Sequence, residues 1–293
     1  MKGYEMILKT LESMRMKVIY YYIGVVVAGI ASFILFVSSN WIWGIIGAIG
    51  AFFLLIVGYS KQSNYKNKVK EILAVDIFQN YFDDVTFQAE KGFDEEFIRN
   101  TEMIGLGNIY SSNDLLEGTY KNIRFQQSDL LIQRRQSTGK SSVTITLFKG
   151  QYRIYEFNKN FTSYLQIRDK ENSWFKNAKP YQFFTQREET KHLKLESLEF
   201  NNMFDVYASD DHEAFYILTP HFMEKVIELN KRMDCQILIG FIDNKLHIAS
   251  YTSEDLYEPS IWDQIDESYF AKVEEEIKMI IEIIDVLDLD RGH

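Results

Sequence analysis

No charged side chain occurs between Val18 and Tyr59, and two apolar runs fill that interval, Val18 to Val37 and Trp41 to Tyr59. At about 1.5 Å rise per helical residue, they would extend roughly 30 and 28 Å, each close to the thickness of a bilayer's hydrocarbon core. Only Ser38, Ser39 and Asn40 lie between them. The pattern predicts a transmembrane helical hairpin (18–59, spans 18–37 and 41–59) after a leader of residues 1–17. A cleaved signal peptide fits poorly, because the apolar region is too long, lacks a small-residue cleavage site and is followed at once by a second span.

Beyond the spans the period is helical again. Val69, Ile72, Leu73, Ile77, Phe78 and Tyr81 share one face, so residues 60–82 read as a juxtamembrane helix ended by Asp83 and Asp84. The stretch to about Asn113 reads as loop with short elements. From Glu117 the pattern alternates, and 83–293 reads as one α+β domain, mainly antiparallel with flanking helices. Thr119 to Gln126 and Asp129 to Arg135 look like a strand pair. Val143 to Phe148 and Tyr152 to Asn158 flank Lys149-Gly150, which reads as a hairpin turn. Tyr164 to Arg168 continues the pattern. After a gap at 169–191, Lys194 to Phe200, Phe204 to Ala208 and Ala214 to Leu218 read as further strands.

Thr219-Pro220 marks a helix start, with Thr as cap and Pro at the first helical position. Phe222, Met223, Val226, Ile227 and Met233 form its apolar stripe. A hairpin from Gln236 to Ile242 and Lys245 to Tyr251 turns at Asp243-Asn244. A helix over about Ser268 to Leu287 closes the chain.

Charge orients the spans. Residues 1–70 hold eight Lys/Arg against two Glu, leaving 24 basic and 40 acidic side chains for the other 223 residues. Lys9, Arg15 and Lys17 precede the first span, and Lys61, Lys66, Lys68 and Lys70 follow the second. By the positive-inside rule both termini face the cytoplasm. Tyr20, Tyr21 and Tyr22 would sit at the inner head-group level, Trp41 and Trp43 at the outer. The acidic body disfavours nucleic acid. A single cysteine, Cys235, excludes an intramolecular disulfide.

Small residues stripe both spans: Gly24, Ala28 and Ser32, then Gly44 with Ala48 and Gly47 with Ala51. Such stripes pack helices within a hairpin or between chains.

The densest polar constellation is Asp205, Asp210, Asp211, His212, Glu213 and His221. These are metal-ligand types, yet their spacing matches no motif, and no metal or other cofactor is expected. Nucleophile-elbow, phosphate-loop and dinucleotide motifs are missing. Arg134-Arg135 with Lys140 forms the compact basic cluster of the body and reads as a solvated hairpin tip.

Several short runs together resemble a bacterial membrane-protein family known as domain of unknown function 3137. They are Phe148-Lys149-Gly150, Tyr155-Glu156-Phe157-Asn158-Lys159, Leu195 to Phe200, Phe204-Asp205-Val206-Tyr207, Glu213-Ala214, Tyr216-Ile217-Leu218-Thr219-Pro220 and Leu256-Tyr257-Glu258-Pro259. The chain departs from the family pattern at Phe215, where Arg is usual, and at His212, where an aliphatic residue is usual. The resemblance implies a cytoplasmic body on a membrane hairpin with no established activity, in an envelope assembly shared with LemA-type membrane proteins.

The expectation is a multi-pass cell-membrane protein whose cytoplasmic body is an interaction or scaffolding module. Its partners would be the bilayer and a protein of the membrane or envelope. The alternatives are a membrane-anchored enzyme of unrecognised type and an accessory subunit of a transport or secretion complex.

Overall fold

The computed structural model describes residues 2–38, 40–73, 77–137, 139, 141–156, 161–170, 185–233, 235–252, 257, 259–287 and 289. The chain forms two compact units, residues 1–77 with 256–275 and residues 78–255 with 276–293.

The first unit is built on helices α1 (Lys2–Val37) and α2 (Trp41–Ile72). Both are long and apolar enough to cross a membrane, and their most apolar windows are only 11% and 17% buried. A core helix would hide most of such a window; these present Ile30, Phe33, Ile49, Phe52 and Phe53 outward. The two helices pack through small residues. A Cβ on Gly44 would lie 2.8 Å from that of Phe36, and one on Gly47 would lie 3.1 Å from that of Ser32. Ser32 Oγ donates to the Gly44 carbonyl. Gly44, Gly47, Gly58 and Ser32 therefore pack the hairpin against itself, whereas Gly29 and Gly50 meet open space.

The second unit carries an all-antiparallel sheet of nine strands, ordered β1-β2-β3-β4-β9-β8-β5-β7-β6. The strands are β1 (Asp83–Gln88), β2 (Ile109–Tyr120), β3 (Ile123–Ser137), β4 (Ser142–Glu156), β5 (Leu165–Asp169), β6 (Lys191–Leu193), β7 (Phe204–Ala208), β8 (Ile237–Ile242) and β9 (Lys245–Tyr251). Helices α3 (Glu95–Thr101), α4 (Leu198–Met203), α5 (Asp211–Ile217) and α6 (Pro220–Met233) belong here, with residues 276–286 of the closing helix α7 (Glu267–Val286). The fold is α+β.

Both faces of the central strands are covered. Tyr152 and His247 lie against Phe93, Phe97 and Met103, from α3 and its flanks. Neighbouring strand residues point to opposite faces, and there Arg153 meets Glu276 of α7 while Phe241 meets Phe222 of α6. Double coverage makes β8 and the end of β4 near-continuous buried runs rather than alternating ones.

That burial corrects several expectations. Lys149-Gly150 is no turn: it lies inside β4, and Gly150 is needed because a Cβ there would stand 2.0 Å from the Ser250 carbonyl oxygen of β9. The turn expected between Gln126 and Asp129 falls earlier, at Lys121-Asn122, where both residues adopt positive φ (49° and 64°). The run 194–200 is not a strand, because Ser197 Oγ accepts from the Phe200 N–H and opens α4. Ala214 to Leu218 is not one either, since Asp210 caps α5 in the same manner. The amphipathic pattern expected to run helically to Phe82 is α-helical to Ile72 and π-helical at Leu73 and Ile77, on either side of residues 74–76, which lie outside the described residues; a 3-10 turn, Phe78–Asn80, then precedes β1. The 83–113 stretch holds β1, α3 and the start of β2, more order than expected.

Two expected punctuations are observed. Thr219 Oγ1 accepts from the Phe222 N–H at 3.2 Å and opens α6. Asp243 and Asn244, with φ of 50° and 60°, turn β8 into β9. Phe157, Asn158, Lys159, Leu256 and Glu258 of the resemblance runs, Lys140 of the basic cluster and most of the 169–191 gap lie outside the described residues.

Candidate functional site

The six polar residues singled out in the sequence go to separate duties. Asp205, on β7, lies 3.1 Å from both Lys170 Nζ and His192 Nε2. Asp210 caps α5. Glu213, one turn into that helix, accepts from the backbone N–H of Thr162 (3.1 Å) and Ser163 (2.9 Å) and from the Thr162 hydroxyl (2.9 Å). Hydrogen bonds from Ser163 and Thr162 hold its carboxyl below the usual carboxylate range. Glu213 thus ties α5 to the segment entering β5. Asp211, His212 and His221 are exposed on the first turns of α5 and α6. Among the described residues, no three His, Cys, Asp or Glu are gathered as a metal would need.

The strongly perturbed groups lie elsewhere, in the packed interior. Burial lowers the His247 pKa to about 3, aided by Lys245 and opposed by a hydrogen bond to the Ile242 backbone. Its Nδ1 lies 3.0 Å from Tyr152 Oη, and the Phe97 ring stacks at 6.4 Å. Burial raises Tyr152 far above its usual range. Asp169, at the end of β5, is pushed up to about 7 by burial, against hydrogen bonds from Asn230 and Ile237. Its Oδ1 has no hydrogen-bond partner among the described residues.

Arg153, 1% exposed, is the centre of a buried polar knot. Its Nε donates to Gln127 Oε1 on β3 and its Nη1 to Ser250 Oγ on β9, both at 2.7 Å. Its Nη2 pairs with Glu276 on α7. Neither Arg153 nor His247 is signalled by local spacing. Only the strand neighbours and the covering helices assemble these partners.

The β3–β4 hairpin offers a different kind of site. Its inner half is locked into the sheet, since β4 pairs with β9 from Gly150 onward. Residues 142–147 have β3 alone as a partner strand among the described residues. Val143 and Ile145 are 52% and 42% exposed there, and Arg134 and Arg135 stand exposed on the companion strand. An apolar, unpaired edge is the feature that strand-adding partners recognise.

No curated protein matches the chain in sequence. Among solved structures, the crystal structure of the mycobacterial trehalose monomycolate transport factor A, TtfA, is similar with a TM-score of 0.38 and 9% identity, covering 70% of this chain and 88% of that one. Residues 146–289 match the family described as "Protein of unknown function (DUF3137)", a span from the middle of β4 through the closing helix.

Proposed function

We propose that the protein is a membrane-tethered interaction or scaffolding module, anchored by α1 and α2, with both termini and the sheet-bearing unit in the cytoplasm. The observation that carries the interaction reading is the outer half of β4. Fifteen-residue strands β3 and β4 extend past their neighbours, and among the described residues no strand pairs with the outer edge of 142–147, which bears Val143 and Ile145 rather than charges or prolines. An extended segment of a protein partner would add main-chain hydrogen bonds along 142–147 and set its alternate side chains against Val143 and Ile145. Anchorage is supported by the outward apolar surface of both helices, and orientation by the lysines and arginine that flank only the outer ends of the hairpin.

The test is site-specific photocrosslinking in intact cells producing the full chain. A photoreactive residue at Ile145 is expected to give a discrete protein adduct that Val143→Glu weakens, whereas one at exposed Glu224 on α6 gives none. Equal labelling from both positions, or none from Ile145, would refute the edge as the docking element.

A further inference from the structure

The first unit contains a groove of about 680 Å³, within the range of small-molecule sites. One wall is α1, where Ile23, Val26 and Val27 fall at i, i+3 and i+4 and so share a face. The second is α2, where Gln62 and Lys66 share a face at i, i+4. The third is the segment from Pro259 to Trp262. Its position is fixed: Arg15 Nη1 donates to the Ile261 carbonyl at 3.0 Å, while Glu12 grips the same guanidinium at 2.7 and 2.8 Å. Tyr22 Oη donates to Gln62 Oε1 at 2.6 Å and joins the helices at the polar end.

The groove is therefore amphipathic along its length. Val27 lies about 7.5 Å further along α1 than Tyr22, toward the middle of the span. Lys66 and Gln62 lie toward the charged flank. Tyr20, Tyr21, Tyr22 and the 68% exposed Trp262 are the side chains that prefer a head-group layer.

We infer that this groove holds one anionic phospholipid, its headgroup at Lys66 and Gln62 and an acyl chain along Ile23, Val26 and Val27. The inference rests on the reading that α1 and α2 span a bilayer. The apolar wall offers no hydrogen-bonding group to an extended peptide, whose backbone would go unsatisfied there. An acyl chain has no such need. Charge selects the headgroup: Lys61, Lys66 and Lys68 are accessible on this flank of α2, where Lys70 is buried and the acid of the same segment, Glu71, is already met by Lys68 at 2.8 Å. Each lysine near an anionic surface favours binding by about fivefold.

Full-length protein, stripped of lipid in mild detergent, would be titrated with dioleoyl phosphatidylglycerol or dioleoyl phosphatidylcholine and examined by native mass spectrometry. One phosphatidylglycerol per chain is expected to be retained, with at least fivefold preference over phosphatidylcholine. Lys66→Gln should reduce that preference about fivefold, and Val26→Trp, which fills the groove, should abolish retention. Equal retention of both lipids, or retention untouched by either substitution, would overturn the proposal. If Val26→Trp does not fold, Lys66→Gln decides by itself. Alkaline washing of membranes separates the two readings. Release of the chain would defeat anchorage, whereas a chain that stays in the membrane fraction yet retains no lipid selectively would defeat the groove alone.

Discussion

His247 and Asp169 bias stability with pH in opposite senses. His247 titrates near 3 when folded against an ordinary value near 6.5, so the unfolded chain binds the extra proton between those values. Stability from this group is present above about pH 6.5 and is lost as pH falls toward 3. Asp169 titrates near 7 when folded against an ordinary value near 3.9, so the folded chain binds the extra proton. Stability from that group is present below about pH 4 and is lost as pH rises toward 7. Between about pH 4 and 6.5 the two slopes oppose each other. Asp169→Asn should therefore unmask a rise in stability with pH across that window and add roughly 1–3 kcal/mol at pH 7.5. Denaturant unfolding at pH 4.5, 5.5, 6.5 and 7.5 measures it; a profile unchanged from the parent protein would show that Asp169 is ionised at neutral pH. Neither shift was legible in the sequence, because both arise from burial by segments distant along the chain.

Among the elements, α7 meets the sheet through a buried ion pair, Arg153–Glu276, besides the exposed Lys121–Asp285 pair at 2.9 Å. Arg153 draws on Gln127 of β3, Ser250 of β9 and Glu276 of α7, so β3, β4, β9 and α7 converge on a single guanidinium. Removing one partner of such a pair strands the other in a low-dielectric site. Arg153→Met should cost about 3–5 kcal/mol, while Arg153→Met with Glu276→Leu should recover most of that loss. Thermal melts of the two variants distinguish this from a simple packing defect, for which the double variant would be the less stable. The elements most legible in the sequence were those with local punctuation, namely Thr219-Pro220 before α6 and Asp243-Asn244 between β8 and β9. Those misread, α4 and α5, are helices of six and seven residues that are too short to show a period, and each is opened by a side-chain cap, Ser197 and Asp210.

For the whole molecule, segment 256–275 clusters with residues 1–77 although it is far from them in sequence. A fragment of residues 69–293 would retain the entire sheet-bearing unit but lose Arg15 and its hold on the Ile261 carbonyl. It should melt cooperatively, helped in solubility by its acidic charge, yet be cut by protease between about Tyr257 and Asp266, where the full chain resists. Protection of that segment in the fragment would mean that residues 1–68 do not stabilise it. Orientation has its own check. A reporter active only outside the cytoplasm, fused at the C-terminus, should stay silent, and strong signal would reverse the assigned topology.

Local chemistry along the chain was enough to determine the two long apolar helices, their charged flanks, the α+β class, the family resemblance, the Asp243-Asn244 turn and the Thr219 cap. Each of these depends on neighbours within a few residues, where helix length, hydropathy and capping act. Tertiary structure alone decided the fate of the acidic cluster, dispersing Asp205, Asp210, Glu213 and His221 to ion pairing, capping, loop anchoring and an exposed helix turn. It also decided that Lys149-Gly150 is strand rather than turn. A glycine can admit either a reversal or a neighbouring backbone, and the close approach of Ser250 on β9, a hundred residues later, settles which. The same holds for Arg153, His247 and the groove beside Lys66: their environments are made by chain segments brought together only on folding, and burial, not spacing, gives them their properties.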